Sequence, residues 1–426
     1  PYFIQALAMV KLAAAEANYQ LKRLPEQHYQ AIRFACEQLM QGNFLEQFPL
    51  DMLQGGAGTS TNMNANEVIC NIALEYMGHE KGQYQHLHPN NHVNMSQSTN
   101  DVYPTAIRLA LLGDVERYQQ RLIQLIESLQ AKAIEFKDVL KMGRTQLQDA
   151  VPMTLGQEFA AFAQILKQDL SLFRSLAERL SQVNLGGTAI GTGINAPAQY
   201  QELALAALSR MSQKNIQAAP DLIAATSDMG DFVLLSGYLK RSATKLSKIA
   251  NDLRLLSSGP RAGLNEIHLE PRQPGSSIMP GKVNPVIPEA MNMAAFQVIA
   301  NDLAVTLAAE AGQFQLNAME PLIAFKLFDS LDLLQRSVQM FEQFCVRSIE
   351  ANIEQCRHNV ENSIGIITAL NPYLGYETTT RLAKTAHATG QRILDLVRSE
   401  GLLSEEILQH ALSVEQMLQP PLEQAI

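Results

Sequence analysis

Four short segments of the chain concentrate small hydroxyl and amide side chains beside glycine or at a helix entry. They are Gly56-Ala57-Gly58-Thr59-Ser60-Thr61-Asn62, Ser96-Gln97-Ser98-Thr99-Asn100-Asp101, Gly143-Arg144-Thr145-Gln146-Leu147-Gln148-Asp149 and Gly275-Ser276-Ser277-Ile278-Met279-Pro280-Gly281-Lys282-Val283-Asn284-Pro285. Between them they offer many neutral hydrogen-bond donors and two cations, Arg144 and Lys282. Such groups bind a carboxylate, and they can stabilise further negative charge that develops on it. Helix N-termini add backbone donors of the same sign. Each segment also has a plain reading. Ser98, Thr99 and Asn100 stand just ahead of a long helical pattern, where Ser, Thr and Asn are common N-caps. Four such segments, one of them a Gly/Pro-bounded Ser-Ser loop carrying a lysine, are harder to explain by capping alone.

Other chemistries find less support. Gly191-Thr192-Gly193 lacks the rest of a dinucleotide fingerprint and follows no strand pattern. Lys282 has a glycine before it but a valine after it, so it does not complete a phosphate loop. His86, His88 and His92 cluster in a polar loop without carboxylates at ligand spacing, which reads as solvated histidines before it reads as a metal site. No Gly-x-Ser-x-Gly elbow anchors a hydrolase triad.

The elements that must position these segments are helices. Leu109, Leu112, Val115, Tyr118, Leu122, Ile126, Leu129 and Ala133 recur every three or four residues, one apolar stripe on a long helix. A second stripe runs through Phe159, Phe162, Leu166, Leu170, Phe173, Leu176 and Leu180. Further helical stretches are expected near 228–257, 286–317 and 321–351. Strand signals are sparse. Helices of this length point to an elongated bundle, an architecture that commonly continues into an oligomer. The reading is an all-α chain in three regions. Residues 1–100 form a mostly helical N-terminal domain with polar loops, 101–355 a central long-helix domain, and 356–426 a small helical C-terminal domain.

Bulk properties narrow the partners. The chain has 426 residues, 46% hydrophobic and 18% charged, which is globular composition. A net charge of −9 with no basic stripe argues against a nucleic-acid partner. No apolar run reaches the roughly 18 residues of a membrane span. Cys36, Cys70, Cys345 and Cys356 form no CxxC pair and are expected as reduced, buried thiols of a cytoplasmic protein. The opening Pro1-Tyr2-Phe3-Ile4 has no Met and no basic region, so it does not read as a signal peptide, and a native start upstream is expected.

The loop at 275–285 resembles the signature loop of the fumarase/aspartase superfamily. Segments 55–67, 94–105, 143–159, 184–195, 257–293, 308–321 and 362–372 resemble that family too, in its order, over most of the chain from about 40 onward. Within it the similarity is to the aspartate ammonia-lyases, through Gly143-Arg144-Thr145-Gln146, Leu264-Asn265-Glu266-Ile267, Pro285-Val286-Ile287-Pro288-Glu289 and Ala308-Ala309-Glu310-Ala311-Gly312-Gln313 on to Asn317. The resemblance implies a homotetramer around a twenty-helix core, five long helices per subunit, with each active site assembled from three subunits. It implies no cofactor and no metal, with L-aspartate, fumarate and ammonia as the small-molecule partners.

By the same resemblance, Ser276 is the general base on a mobile loop. Thr59, Ser98, Thr99 and Ser277 hold the side-chain carboxylate, Lys282 and Asn284 the α-carboxylate, and Asn100, Thr145 and Gln146 the amino group. Met279 joins the substrate contacts, and Arg144 and Glu289 support them. His88, Asn90 and Asn91 resemble a secondary anion site of fumarases. The alternative activity is hydration of fumarate to L-malate, and Gln146 separates the two. Fumarases usually carry His at this position, paired with a carboxylate such as Glu289. Expelling hydroxide needs an acid, which Gln cannot supply, whereas an ammonium group leaves as neutral ammonia.

Overall fold

The computed structural model describes residues 2–418. In chain order its helices are α1 (Tyr2–Gln20), α2 (Glu26–Met40), α3 (Thr59–Tyr76), α4 (Thr99–Glu135), α5 (Leu155–Leu180), α6 (Tyr200–Ser212), α7 (Leu222–Ser227), α8 (Gly230–Leu256), α9 (Val286–Glu310), α10 (Glu320–Phe344), α11 (Ile353–Asn362), α12 (Ile367–Thr389), α13 (Ile393–Ser399), α14 (Glu405–Ala411) and α15 (Val414–Leu418). The chain is all-α in class. Among the described residues, strands are confined to a hairpin of β1 (Leu140–Thr145) and β2 (Gln148–Thr154) and to the two-residue pairs β3 (Gln182–Val183) with β4 (Gln217–Ala218) and β5 (Ile267–His268) with β6 (Glu350–Ala351).

The residues group into two compact units. The first comprises 1–120, 169–244 and 294–336; the second comprises 121–168, 245–293 and 337–426. In the first unit, α1, α2 and α3 bury a shared core through Leu12, Ala15, Ile32, Cys36, Ile69 and Ala73. Long helices are tied there by buried and part-buried polar contacts. Tyr118 and Ser242 share a hydrogen bond of 2.5 Å, Ser236 and Lys240 reach Asp302 at 2.8 and 2.6 Å, and Asn301 donates to Asp329 at 2.8 Å. In the second unit, Asn292 donates to Ser247 and Ser128 to Glu342 in the same way. A core of this unit joins Met142 of β1 to Val360, Ile366, Leu370, Leu382 and Val397 of the C-terminal segment.

The apolar stripes explain the long helices. Leu109, Leu112, Val115, Tyr118, Leu122, Ile126 and Leu129 are all buried along α4, and Phe159, Phe162, Leu166, Phe173, Leu176 and Leu180 along α5. Two ends differ from the expectation. Helix α9 stops at Glu310, short of 317, because Asn317 folds back and donates to Ala308 O and Ala309 O. Its amide thus satisfies carbonyls that the helix end leaves open. Helix α10 stops at Phe344, short of 351, because the chain goes on to pair Glu350 and Ala351 with β5. The β1–β2 hairpin was not expected. Its turn carries Gln146-Leu147 where Asn-Gly or Asp-Gly would have signalled it.

Candidate active site

Helices α3 and α4 of the first unit both start in the polar segments. Gly58 precedes α3 with φ of 85°, and a Cβ there would lie 2.5 Å from the Tyr103 ring. Only glycine allows this backbone to sit on the ring. Thr59 opens α3 with its hydroxyl donating to Gly56 O at 2.7 Å, so that hydrogen must turn away to reach a ligand. At α4 the capping expectation is met. Ser98 Oγ accepts from Asn100 N at 3.3 Å, and Asp101 Oδ1 accepts from Ser98 N at 2.9 Å. Thr99 Oγ1 accepts from Asn62 Nδ2 at 2.9 Å. Both hydroxyl oxygens therefore take protein hydrogens, and their own hydrogens are free to donate to an anion.

A buried polar layer positions this loop. Lys11, fully buried in α1, donates to Asn94 Oδ1 at 2.8 Å and Gln97 Oε1 at 2.9 Å. Asn18 donates to Met95 O at 3.0 Å and accepts from Ser96 Oγ at 2.8 Å, which holds Ser96 in a left-handed conformation with φ of 62°. The Asp101 carboxylate also accepts from Gly186 N and Thr188 N, both at 3.0 Å, while Asn100 Nδ2 donates to Ala189 O at 2.8 Å. The Asn100 amide thus already donates one hydrogen to the 186–193 loop. Burial pushes Asp101 up to about 6 against the pull of its three backbone donors, and burial lowers Lys11 to about 7. Single-sequence reasoning missed Lys11, Asn18 and Asp101. The signal was there in Lys11, a lone charge inside the apolar run Met9-Val10-Lys11-Leu12.

In the second unit, Thr145 ends β1 and Gln146-Leu147 form the hairpin turn, with φ of 55° and 61°. Two successive non-glycine residues in the left-handed region store strain, a feature that collects at functional sites. Thr145 and Gln146 are exposed there. Arg144 is held inside the unit, since its Nη2 donates to the buried Glu266 Oε1 at 2.7 Å and its Nη1 to Met142 O at 3.3 Å. Its charge is matched by protein, unlike the open presentation of Lys282.

The loop at 275–285 is closed on itself. Gly275 N donates to Lys282 O at 2.9 Å, and Asn284 Nδ2 donates to Gly275 O at 2.8 Å. A Cβ at Gly275 would collide with Lys282 O. Ser276 Oγ accepts from two backbone amides, Ile278 N at 3.2 Å and Met279 N at 3.1 Å. Lys282, Asn284 and Glu289, the last in the first turn of α9, line a cavity of about 940 Å³ together with Arg254, His268 and Arg272. Thr145, Gln146, Ser276, Ser277 and Met279 are not among its lining residues. Within the second unit, the structure gathers the Lys282 end of the loop and Glu289, and it does not bring the hairpin turn to them.

The histidine segment is locally satisfied. His88 Nδ1 accepts from Asn90 N and Asn91 N at 3.1 and 3.3 Å, so these amides are engaged and not presented to an anion. His86 stacks on His79 at 3.8 Å. Among the described residues, no group of His, Cys, Asp or Glu side chains is placed to hold a metal ion, and no helix is long and apolar enough to cross a membrane.

Comparison with known proteins shows the family of the chain. Residues 2–300 match a family model described as Lyase, and residues 366–419 one described as Fumarase C C-terminus. An aspartate ammonia-lyase of Pseudomonas aeruginosa is 64% identical over 99% of this chain and 89% of its own length. The Escherichia coli enzyme of the same name is 51% identical over 99% and 88%. Among solved structures, a fumarate lyase:delta crystallin from Brucella melitensis bound to cobalt superposes with a TM-score of 0.96 at 55% identity, covering 99% of this chain and 91% of that one. A class II fumarase from Schistosoma mansoni gives 0.92 at 35% identity, covering 98% and 90%. The chain belongs to the fumarase/aspartase superfamily of lyases, among the aspartate ammonia-lyases.

Proposed function

We propose that this chain converts L-aspartate to fumarate and ammonia by anti-elimination through an aci-carboxylate. The observation that carries the choice of leaving group is Gln146, which stands on the exposed hairpin turn and has no proton to give as an acid. Ser276 Oγ, as an alkoxide, takes a proton from the carbon beside the side-chain carboxylate. The electron pair of that C–H bond moves into the carboxylate as the dianionic intermediate. It then returns to form the double bond while the C–N bond breaks, and nitrogen leaves with its own pair as ammonia. The C–H is weakly acidic, so most of the catalysis is stabilisation of the dianion.

The local geometry supports these roles. Two backbone N–H groups already point at Ser276 Oγ, the arrangement that lowers the cost of a serine anion. Ser98 and Thr99 keep their hydroxyl hydrogens for the side-chain carboxylate, with Thr59 and Ser277 beside them in role. Lys282 and Asn284 take the α-carboxylate, with Met279 on the same loop. Asn100, Thr145 and Gln146 take the amino group, while Arg144 and Glu289 support.

The assembly we propose is the homotetramer with shared sites. In support, α9 is rich in apolar residues, and its Met293, Phe296, Leu303 and Leu307 are 64, 60, 63 and 60% exposed in the single chain. A helix of that kind belongs in a core. The separation of Thr145 and Gln146 from the cavity of Lys282 suits a site completed by other copies. A cytoplasmic setting suits the four free, buried cysteines. Helix length supports a division at 1–100, 101–355 and 356–426, since α4 to α10 include the long elements. Product analysis tests the function: L-aspartate must yield fumarate and ammonia in equal amounts, and aspartate loss without ammonia release overturns it.

A further inference from the structure

The hairpin that carries Thr145 and Gln146 has a turn that its own sequence does not favour. Gln146 and Leu147 both hold positive φ without being glycine or asparagine. Such a turn persists only where its surroundings over-determine it. The fixing contacts are on both strands. On β1, Arg144 donates to Glu266 at 2.7 Å, and the Lys141 ammonium lies 3.3 Å from the other Glu266 oxygen and 2.7 Å from Glu158. Asn359 of α11 donates to the same Glu266 oxygen as Arg144, at 3.0 Å. On β2, Asp149 accepts from Ser363 at 2.6 Å, and Gly365 packs so closely on the strand that a Cβ would lie 2.6 Å from Ala150 O.

Glu266 is the hub of these contacts. It is fully buried, and it follows Asn265, itself at φ of 47°. Burial alone would raise its pKa, but the Arg144 hydrogen bond and the Lys141 and Arg144 charges outweigh burial and hold it ionised, with its pKa below the usual carboxylate value. A fixed anion here dictates where Arg144 points, and Arg144 is covalently next to Thr145. Within the hairpin Arg144 also donates to Met142 O at 3.3 Å and lies 3.9 Å from the Asp149 carboxylate, so Glu266 anchors it from outside the hairpin.

We infer that Glu266 is a positioning residue for the amino end of the substrate: through Arg144 it sets the hairpin turn that presents Thr145 and Gln146. This rests on the reading of the hairpin as the amino-group holder. Glu266 touches no substrate. Its effect should appear in the recognition of a substrate that has an amino group and be absent from a dicarboxylate that lacks one.

The test uses the full-length assembled enzyme and two ligands, L-aspartate as substrate and succinate as a competitive inhibitor without an amino group. In Glu266→Gln, kcat/KM for L-aspartate should fall by about 10²-fold, the scale of a small misplacement of a binding group, while the succinate Ki stays within about twofold. Arg144→Lys should show the same split. The double variant should lose little more than either single one, because both act on one contact. Should Glu266→Gln fail to assemble, Arg144→Lys alone carries the comparison. A parallel rise of KM and Ki, an unchanged kcat/KM, or fully additive losses overturn the inference while leaving the activity standing. An unmodified enzyme that releases no ammonia from L-aspartate overturns both.

Discussion

Glu320→Gln is the substitution whose consequence the structure fixes most sharply. Glu320 opens α10 inside the first unit and is only 1% exposed, and neither carboxylate oxygen has a hydrogen-bond partner among the described residues. The Tyr103 hydroxyl, whose acidity the Glu320 charge affects, is likewise buried and unpaired. The Arg108 cation opposes the burial of this carboxylate, but its own hydrogen bonds go to Asp231 at 2.9 Å and Arg179 O at 3.2 Å. Burial therefore wins and pushes Glu320 from 4.5 up to about 8. At about 1.4 kcal/mol per tenfold in proton affinity, that disfavours the ionised form by on the order of 5 kcal/mol.

The sign follows from linkage. The folded state keeps the proton between 4.5 and about 8, where the unfolded chain has released it. Folding is therefore undisturbed by this group below 4.5, loses stability as pH rises through that window, and carries the full penalty above about 8. Gln cannot ionise, so the variant lacks this pH-dependent loss. Its amide is still an unsatisfied buried group, costing about 1–3 kcal/mol at every pH, and only the pH dependence is diagnostic. Between about pH 5 and about pH 9 the variant should gain on the parent by about 4 kcal/mol per subunit. With an unfolding entropy of about 2 cal/mol/K per residue, that is about 4–5 °C in Tm. Thermal melts of both proteins at the two pH values, at one scan rate, measure it. A Tm difference that does not change with pH refutes the reasoning.

Two further outcomes follow from the site. Ser276→Ala should lower kcat by at least about 10²–10⁴-fold, the usual contribution of a positioned base, with the oligomeric state unchanged by light scattering; a variant that keeps most of its activity shows that another group is the base. Leu147→Gly should raise stability by about 1 kcal/mol, because Leu147 is 69% exposed with φ of 61° and glycine relieves the left-handed strain without losing packing; a lower Tm would show that the turn stores no strain there.

The long helices were legible because an apolar residue every three or four positions has one structural meaning, and Leu109 to Leu129 and Phe159 to Leu180 show it without interruption. The hairpin at 140–154 was not, because Gln146-Leu147 lacks the residues that such a turn favours and the surroundings impose its conformation. The end of α9 was hidden in the Asn317 side chain, whose contact with Ala308 and Ala309 is a tertiary choice. At the site, the residue types were legible and their supports were not. Ser98, Thr99, Ser276 and Lys282 declare a chemistry by kind and spacing. Lys11, Asp101 and Glu266 act by being buried, and burial of a charge cannot be read from one sequence when its partners lie far along the chain. Arg144 shows the limit most clearly. By type it is a cation facing an anion, and the anion it faces is Glu266.

What distinguishes this lyase is that it expels ammonia and not water. Fumarate formation, followed by ultraviolet absorbance at one enzyme concentration with L-aspartate and with L-malate, tests it most directly. L-aspartate should turn over rapidly, and L-malate more slowly by a wide margin. Comparable or faster fumarate formation from L-malate would contradict it.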